Sequence, residues 1–110
     1  MSHRVLRRAR ARQDLLECAA HLELEAGYDV AERFLRAAER SISRLATSPH
    51  LGWPRESPDP RLPGIRTWRI EGFEQHLVFY RPSRDSLLIL RVLHGSRDIP
   101  GILRLVPPEE

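Results

Sequence analysis

The chain has 110 residues, of which 41% are apolar, and this size and composition predict one soluble globular domain over residues 1–110. All 18 of its basic residues are arginine, which suits carboxylate, phosphate or aromatic partners, but 15 acids reduce the formal net charge to +3. That weak charge and the few aromatic residues argue against a nonspecific nucleic-acid-binding module, and no apolar run approaches the roughly 20 residues that cross a bilayer.

The first half of the chain predicts a short strand followed by a helical hairpin. Residues 3–7 alternate around Val5, as in a short edge strand. Residues 9–25 place apolar side chains at helical spacing, and Gly27 ends this first helix. A second helix is capped by Asp29, runs to about residue 46 and stops before Pro49. Only a few residues separate the two helices, which predicts an antiparallel pair.

The lone cysteine and the polar residue spacing exclude several classes of site. Cys18 has no partner for an internal disulfide, so we expect a reducing, cytoplasmic location and a small buried side chain at this position. Neither a glycine-rich phosphate loop nor a spacing typical of metal ligands is visible, so no cofactor and no metal site is expected. The N-terminus lacks the apolar segment of a signal peptide.

A proline-rich loop and three strands make up the second half. The loop spans residues 49–64, and Trp53 within it is interpreted as a lid on the core rather than a ligand platform. Strands are predicted at 66–71, 75–81 and 87–94. The expected register sets one apolar face beneath the hairpin, made of Trp68, Ile70, Leu77, Phe79, Leu88, Leu90 and Val92. The opposite face would carry Arg69, His76, Val78, Tyr80, Ile89 and Arg91. Helices followed by a run of strands indicate an α+β fold with an antiparallel sheet.

The last strand delivers a polar cluster to one edge of the sheet. Residues 87–94 are apolar or His except for Arg91, which is typical of a central strand covered on both faces. Arg91 must therefore point to a groove, a partner or a buried acid. His94 either acts in a site or caps the strand end, and Arg97 either acts there or pairs with Asp98. Arg69 is expected to be solvent-exposed, and Tyr80 is expected to pack in the core.

One string in this region carries a family resemblance. Residues 90–99 read LRVLHGSRDI, preceded by Trp68-Arg69-Ile70 and by the strand Leu77-Val78-Phe79-Tyr80-Arg81. With the N-terminal pattern of Ala9, Arg10, Asp14, Leu15, Ala31, Phe34, Leu45 and Pro49, the chain resembles the ParE toxins of the ParE/RelE superfamily of type II toxin–antitoxin systems. The resemblance implies a β-α-α-β-β-β fold and a ParD-like antitoxin as partner.

The resemblance leaves two targets open. ParE-like members are associated with DNA gyrase, whereas RelE-like members cut messenger RNA on the ribosome. A nuclease would use Arg69, Arg81, His94 and Arg97, with His76 as another candidate acid or base. RelE-like enzymes typically carry a functional tyrosine or other acid group near the C-terminus, whereas residues 99–110 offer only Arg104 and the terminal acids. This difference favours a gyrase inhibitor without catalytic residues.

An inhibitor of this kind would contact its target through Arg69, Arg91, His94 and Arg97. We expect no sequence-specific nucleic-acid binding and no membrane contact. A degenerate toxin that only binds its antitoxin is a third reading.

Overall fold

The computed structural model describes residues 2–55, 63–104 and 106. Two helices pack on one face of a five-stranded sheet, which confirms the predicted α+β fold with its helical hairpin. In chain order the elements are β1 (Arg4–Arg7), α1 (Ala9–Ala26), α2 (Tyr28–Thr47), β2 (Trp53–Pro54), β3 (Arg66–Ile70), β4 (Phe73–Pro82), β5 (Ser86–His94) and α3 (Ile99–Leu103). The two-residue β2 and the five-residue α3 were not predicted. Part of the predicted proline-rich loop, with Pro58 and Pro60, lies outside the described residues.

The sheet has the strand order β1-β5-β4-β3-β2. Strand β1 runs parallel to β5 at one edge, and the other neighbouring strands are antiparallel. The hairpin of α1 and α2 supplies the crossover that a parallel pairing requires. Strand β5 is therefore central, as its nearly continuous apolar sequence predicted.

Glycine makes the tight connection between the two helices possible. Gly27 has a φ of 97°, a left-handed value that favours glycine, and its N–H donates to the Glu23 carbonyl. Helix α2 then begins at Tyr28, so Asp29 lies inside the first turn and no side chain caps the helix. The predicted Asp29 cap was wrong because the glycine turn occupies the capping position.

The hairpin covers a core that differs from the predicted one. Val78, Tyr80 and Ile89 are buried against the helices, and His76 contacts Phe34 of α2. Of the residues predicted for this face, Trp68, Ile70 and Val92 do pack there. We call this set the hairpin-side core.

The opposite face of the sheet is also buried. Leu77, Phe79, Leu88 and Leu90, all predicted to face the hairpin, pack instead with Leu93 on this second face. Residues of the C-terminal segment cover them, namely Ile99, Ile102, Leu103 and Val106. Because both faces are covered, both parities of β4 and β5 are apolar, and the period-2 pattern could not identify the side that meets the helices.

Irregular pairing between β4 and β5 also changes which face of the sheet their side chains occupy. The β4–β5 register changes between Phe79 and Tyr80, which pair with Arg91 and Ile89, so Leu90 is the extra residue. An extra residue of this kind changes which face the following side chains occupy. Val92 consequently lies on the hairpin side while Leu90 lies on the other. Within the described parts of the chain, no helix is long and apolar enough to span a membrane.

Candidate functional site

A cleft of about 400 Å³ lies between α1 and the end of β5. Helix α1 contributes one wall, and β4, β5 and the following turn contribute the other. We call it the α1–β5 cleft; it is lined by Asp14, Glu17, Cys18, His21, His76, Val92, Leu93, His94, Ser96 and Arg97. The polar cluster predicted at the end of β5 therefore does open onto a cavity.

Two histidines of the cleft are in direct contact. His76 and His94 are paired across β4 and β5, and their ring centroids are 5.1 Å apart in an edge-to-face arrangement. His76 also packs against the Phe34 ring at 4.9 Å and is 8% exposed. Burial lowers the pKa of His76, and the charges of His94 and His21 lower it further. At neutral pH His76 is therefore a neutral side chain in the wall of the cleft.

His94 is held by the turn that follows it. Its Nδ1 lies 2.7 Å from the Ser96 hydroxyl and accepts the Ser96 backbone N–H at 3.1 Å. Since Nδ1 accepts that bond, the proton of the neutral ring is on Nε2. His94 thus caps the strand end and also lines the cleft. Its position is compatible with both predicted roles, capping the strand and acting in a site.

Arg97 is exposed at the rim of the cleft. Asp98, its partner in one of the two alternatives considered, instead accepts the Gly101 N–H at 3.3 Å and caps α3. We find no ion pair between Arg97 and Asp98 in the described residues. The guanidinium of Arg97 is therefore available to a ligand or a partner protein.

Arg91 is buried on the hairpin side, which corrects its predicted place on the opposite face. Its Nε and Nη2 donate to the two Asp14 carboxylate oxygens at 2.7 and 3.0 Å. Asp14 also accepts the Val92 N–H at 3.0 Å, and Arg10 lies 3.6 Å away. The pair is 8% and 3% exposed and ties α1 to β5. Of the three possibilities named for Arg91, the structure shows the buried acid.

Cys18 lines the cleft rather than lying deep in the core. It is half-buried and packs against the hairpin-side core. Burial and the nearby carboxylates of Asp14 and Glu17 raise the pKa of its thiol to about 11. The thiol is therefore protonated at neutral pH, which is typical of an unreactive cysteine.

The remaining predicted site residues lie elsewhere. Arg81 pairs with Leu88, five residues along β4 from His76, which places it about 16 Å from the His76–His94 pair. Arg69 is exposed, as predicted, on β3. The structure thus brings together His76, His94 and Arg97, while Arg69 and Arg81 do not line the cleft.

The structure also tests the predicted places of two aromatic residues, Trp53 and Tyr80. Trp53 is 39% exposed, so it is not the predicted lid on the core. Tyr80 is buried as predicted; its hydroxyl donates to the Pro49 carbonyl and accepts the Gly52 N–H. Those bonds leave the Tyr80 hydroxyl no role in the cleft.

The α1 wall was missed by the sequence reasoning. None of Asp14, Glu17 and His21 was predicted to lie in a candidate site. Residues 14, 17, 18 and 21 form one stripe at helical spacing, and this polar stripe beside an apolar one was the available signal. No three His, Cys, Asp or Glu side chains among the described residues are grouped closely enough to hold a metal ion.

Comparisons with known proteins agree on one family. A family model described as the ParE toxin of the type II toxin–antitoxin system parDE matches residues 5–99. Toxin ParE1 of Mycobacterium tuberculosis, in two strains, is 32% identical over 74 residues, which cover 66% of this chain and 69% of that protein. A solved structure from P. aeruginosa, described as a chromosomal ParDE TA system, is similar with a TM-score of 0.69 at 20% identity. That similarity covers 84% of this chain and 96% of the other, and it shows a shared fold.

Proposed function

The chain belongs to the ParE toxin family of type II toxin–antitoxin systems, and from that premise we propose that it inhibits DNA gyrase and is neutralised by a ParD-like antitoxin in the cytoplasm. Family membership supports a toxin that acts by binding rather than by catalysis. The target-contacting side chains we assign are Arg97 and His94, at the accessible end of β5.

The observation that carries the choice of inhibitor over ribonuclease is the separation of the nuclease set. Cleavage by 2′-hydroxyl attack needs an acid, a base and a cation around one phosphate. Arg69 and Arg81 lie away from the α1–β5 cleft, so of the nuclease candidates only His76, His94 and Arg97 line it. His76 is only 8% exposed and its ring contacts the His94 ring edge to face, so its imidazole has little access to a phosphate bound in the cleft. This arrangement supports binding rather than acid–base catalysis.

Arg91 is buried and supports target binding indirectly, by positioning the residues that contact the target. Because its guanidinium is bonded to Asp14, it cannot reach a partner without breaking a buried pair. Its role in the proposal is to position the end of β5, and with it His94 and Arg97, against α1.

The decisive experiment uses Arg97→Gln beside a matched control. Purified wild-type protein should inhibit gyrase supercoiling and leave ribosome-bound messenger RNA intact. Arg97→Gln should weaken inhibition about tenfold or more, as expected for an arginine at the centre of an interface. Arg84→Gln removes the same charge from the exposed β4–β5 turn and should inhibit as well as the wild type.

Two results would contradict the proposal. Codon-dependent messenger RNA cleavage with gyrase untouched would establish the RelE-like alternative. If Arg97→Gln inhibits gyrase as strongly as Arg84→Gln, the end of β5 is not part of the target interface. The antitoxin part is tested separately, by co-expression with the product of the adjacent small open reading frame and by relief of growth arrest.

A further inference from the structure

Both tryptophans of the chain meet at the β2–β3 edge of the sheet, where Trp53 is exposed and Trp68 is partly buried against the hairpin-side core. The ring centroids of Trp53 and Trp68 are 6.1 Å apart, and the rings are tilted by 58°. The guanidinium carbon of Arg69 lies 5.6 Å from the first centroid and 5.8 Å from the second. We call Trp53, Trp68 and Arg69 the indole patch.

The indole patch holds an arginine in place without using its hydrogen-bonding groups. Cation–π contact with two rings restrains Arg69, so less side-chain entropy is lost when it forms hydrogen bonds. Arg69 makes no hydrogen bond or ion pair with the residues that the structure describes, and its side chain is exposed. A restrained guanidinium with free N–H groups is suited to bidentate binding of a carboxylate or a phosphate.

The backbone at this edge excludes recognition by strand addition at Pro54. The Arg55 N–H donates inward to the Ile65 carbonyl at 2.8 Å, so in the alternating pattern of a strand the Pro54 nitrogen points outward. Proline has no N–H to donate there. The missing N–H at Pro54 therefore favours a partner that binds through the side chains of the indole patch.

A protein carboxylate fits the patch better than a nucleic acid does. Arg69 already covers one face of each indole ring and Trp68 also packs against the hairpin-side core, so little ring surface is left to stack on bases. The net charge of the chain is only +3, which also disfavours a nucleic acid. Trp and Arg are the residue types that dominate protein–protein hot spots. Trp53 is 39% exposed beside the partly buried Trp68, and its indole adds apolar surface that a protein partner can cover.

We propose that the indole patch binds an acidic side chain of the ParD-like antitoxin, with Arg69 holding the carboxylate and the two indoles packing against the adjoining chain. This inference rests on the proposed function, which supplies an antitoxin as the lasting partner. The inference assigns the antitoxin to the surface of Arg69 and leaves gyrase at the surface of Arg97. The two partners therefore need not compete for one site.

Tryptophan fluorescence reports directly on this surface because the patch contains both tryptophans of the chain. The probe is the product of the adjacent small open reading frame, with any tryptophan of its own replaced by phenylalanine. Binding should shift the emission of the toxin and protect it from quenching by acrylamide. Arg69→Gln should weaken binding about 10- to 30-fold, and Arg69→Lys should weaken it less. Arg84→Gln should leave it unchanged, with circular dichroism verifying that every variant is folded.

The possible failures are distinguishable. If the complex forms with unchanged fluorescence and Arg69→Gln binds as tightly as the wild type, the indole patch is not the docking site, although the toxin–antitoxin pairing stands. If Arg69→Gln spares antitoxin binding but loses gyrase inhibition, the patch contacts the target and the inference is overturned. If no complex forms with the wild type, the antitoxin part of the proposed function fails together with this inference.

Discussion

The buried Asp14–Arg91 pair should contribute far more to stability than any surface ion pair of this chain. The perturbation is Arg91→Met and Asp14→Leu, made singly and together, so that each side chain is replaced by an apolar one. Asp14→Leu removes both bonds to Arg91 and the bond to the Val92 N–H, and it leaves a guanidinium that is 8% exposed without its acid. We expect this variant to lose about 3–5 kcal/mol of unfolding free energy.

Arg91→Met should be somewhat milder. The Asp14 carboxylate retains the Val92 N–H and the neighbouring Arg10, so we expect a loss of about 2–4 kcal/mol. The double variant buries no unpaired charge and loses mainly the acceptor of the Val92 N–H, about 1–3 kcal/mol. The coupling energy of the cycle is the sum of the two single losses minus the loss of the double variant, and it should therefore be about 5 kcal/mol. Domains of this size are stabilised by about 5–15 kcal/mol, so a single variant can approach unfolding.

The matched control is the ion pair between Arg7 and Glu39. Its two hydrogen bonds are short, 2.7 and 2.6 Å, but the side chains are 25% and 54% exposed. Solvent screening should limit the coupling of Arg7→Met and Glu39→Gln to about 1 kcal/mol or less. Urea unfolding followed by circular dichroism measures both cycles. A coupling in the Asp14–Arg91 cycle as small as that of the control would refute the argument that burial controls this pair.

Three further predictions concern packing, pH and thiol reactivity. Gly52→Ala should destabilise the protein by about 1–3 kcal/mol in urea unfolding, because a Cβ there would lie 2.6 Å from the Tyr80 hydroxyl, whereas Gly95→Ala, with no atom nearer than 3.4 Å, should be nearly neutral. Because its folded pKa is lowered, His76 contributes stability that is complete above about pH 6.5 and is lost as the pH falls through the folded pKa. The melting temperature of His76→Gln should consequently depend less on pH between 5 and 7 than that of the wild type; an unchanged slope would contradict this. With its pKa near 11, Cys18 should react with a thiol reagent at pH 8 on the order of 100-fold more slowly when folded than in urea, and equal rates would refute the assignment.

The order of the elements follows from the sequence. Helical spacing, Gly27 and the strand-like runs of the second half place α1, α2, β3, β4 and β5 within a few residues of their observed bounds. These signals are local, since each depends on residues within a few positions of one another. The string around His94 and Arg97 likewise led to the family and to the cleft wall, while the single-domain boundary of 1–110 stays a prediction.

Tertiary structure alone decided which side of the sheet meets the helices and what Arg91 does. The α3 segment buries the second face, so β4 and β5 carry no alternation from which a side could be chosen, and the extra residue Leu90 shifts the faces within β5. Asp14 and Arg91 are 77 positions apart in the chain and meet only because the parallel β1–β5 pairing brings α1 across β5. A residue pattern with a period of two or of 3.6 contains no information about a contact at that separation, and it is this contact that positions the end of β5.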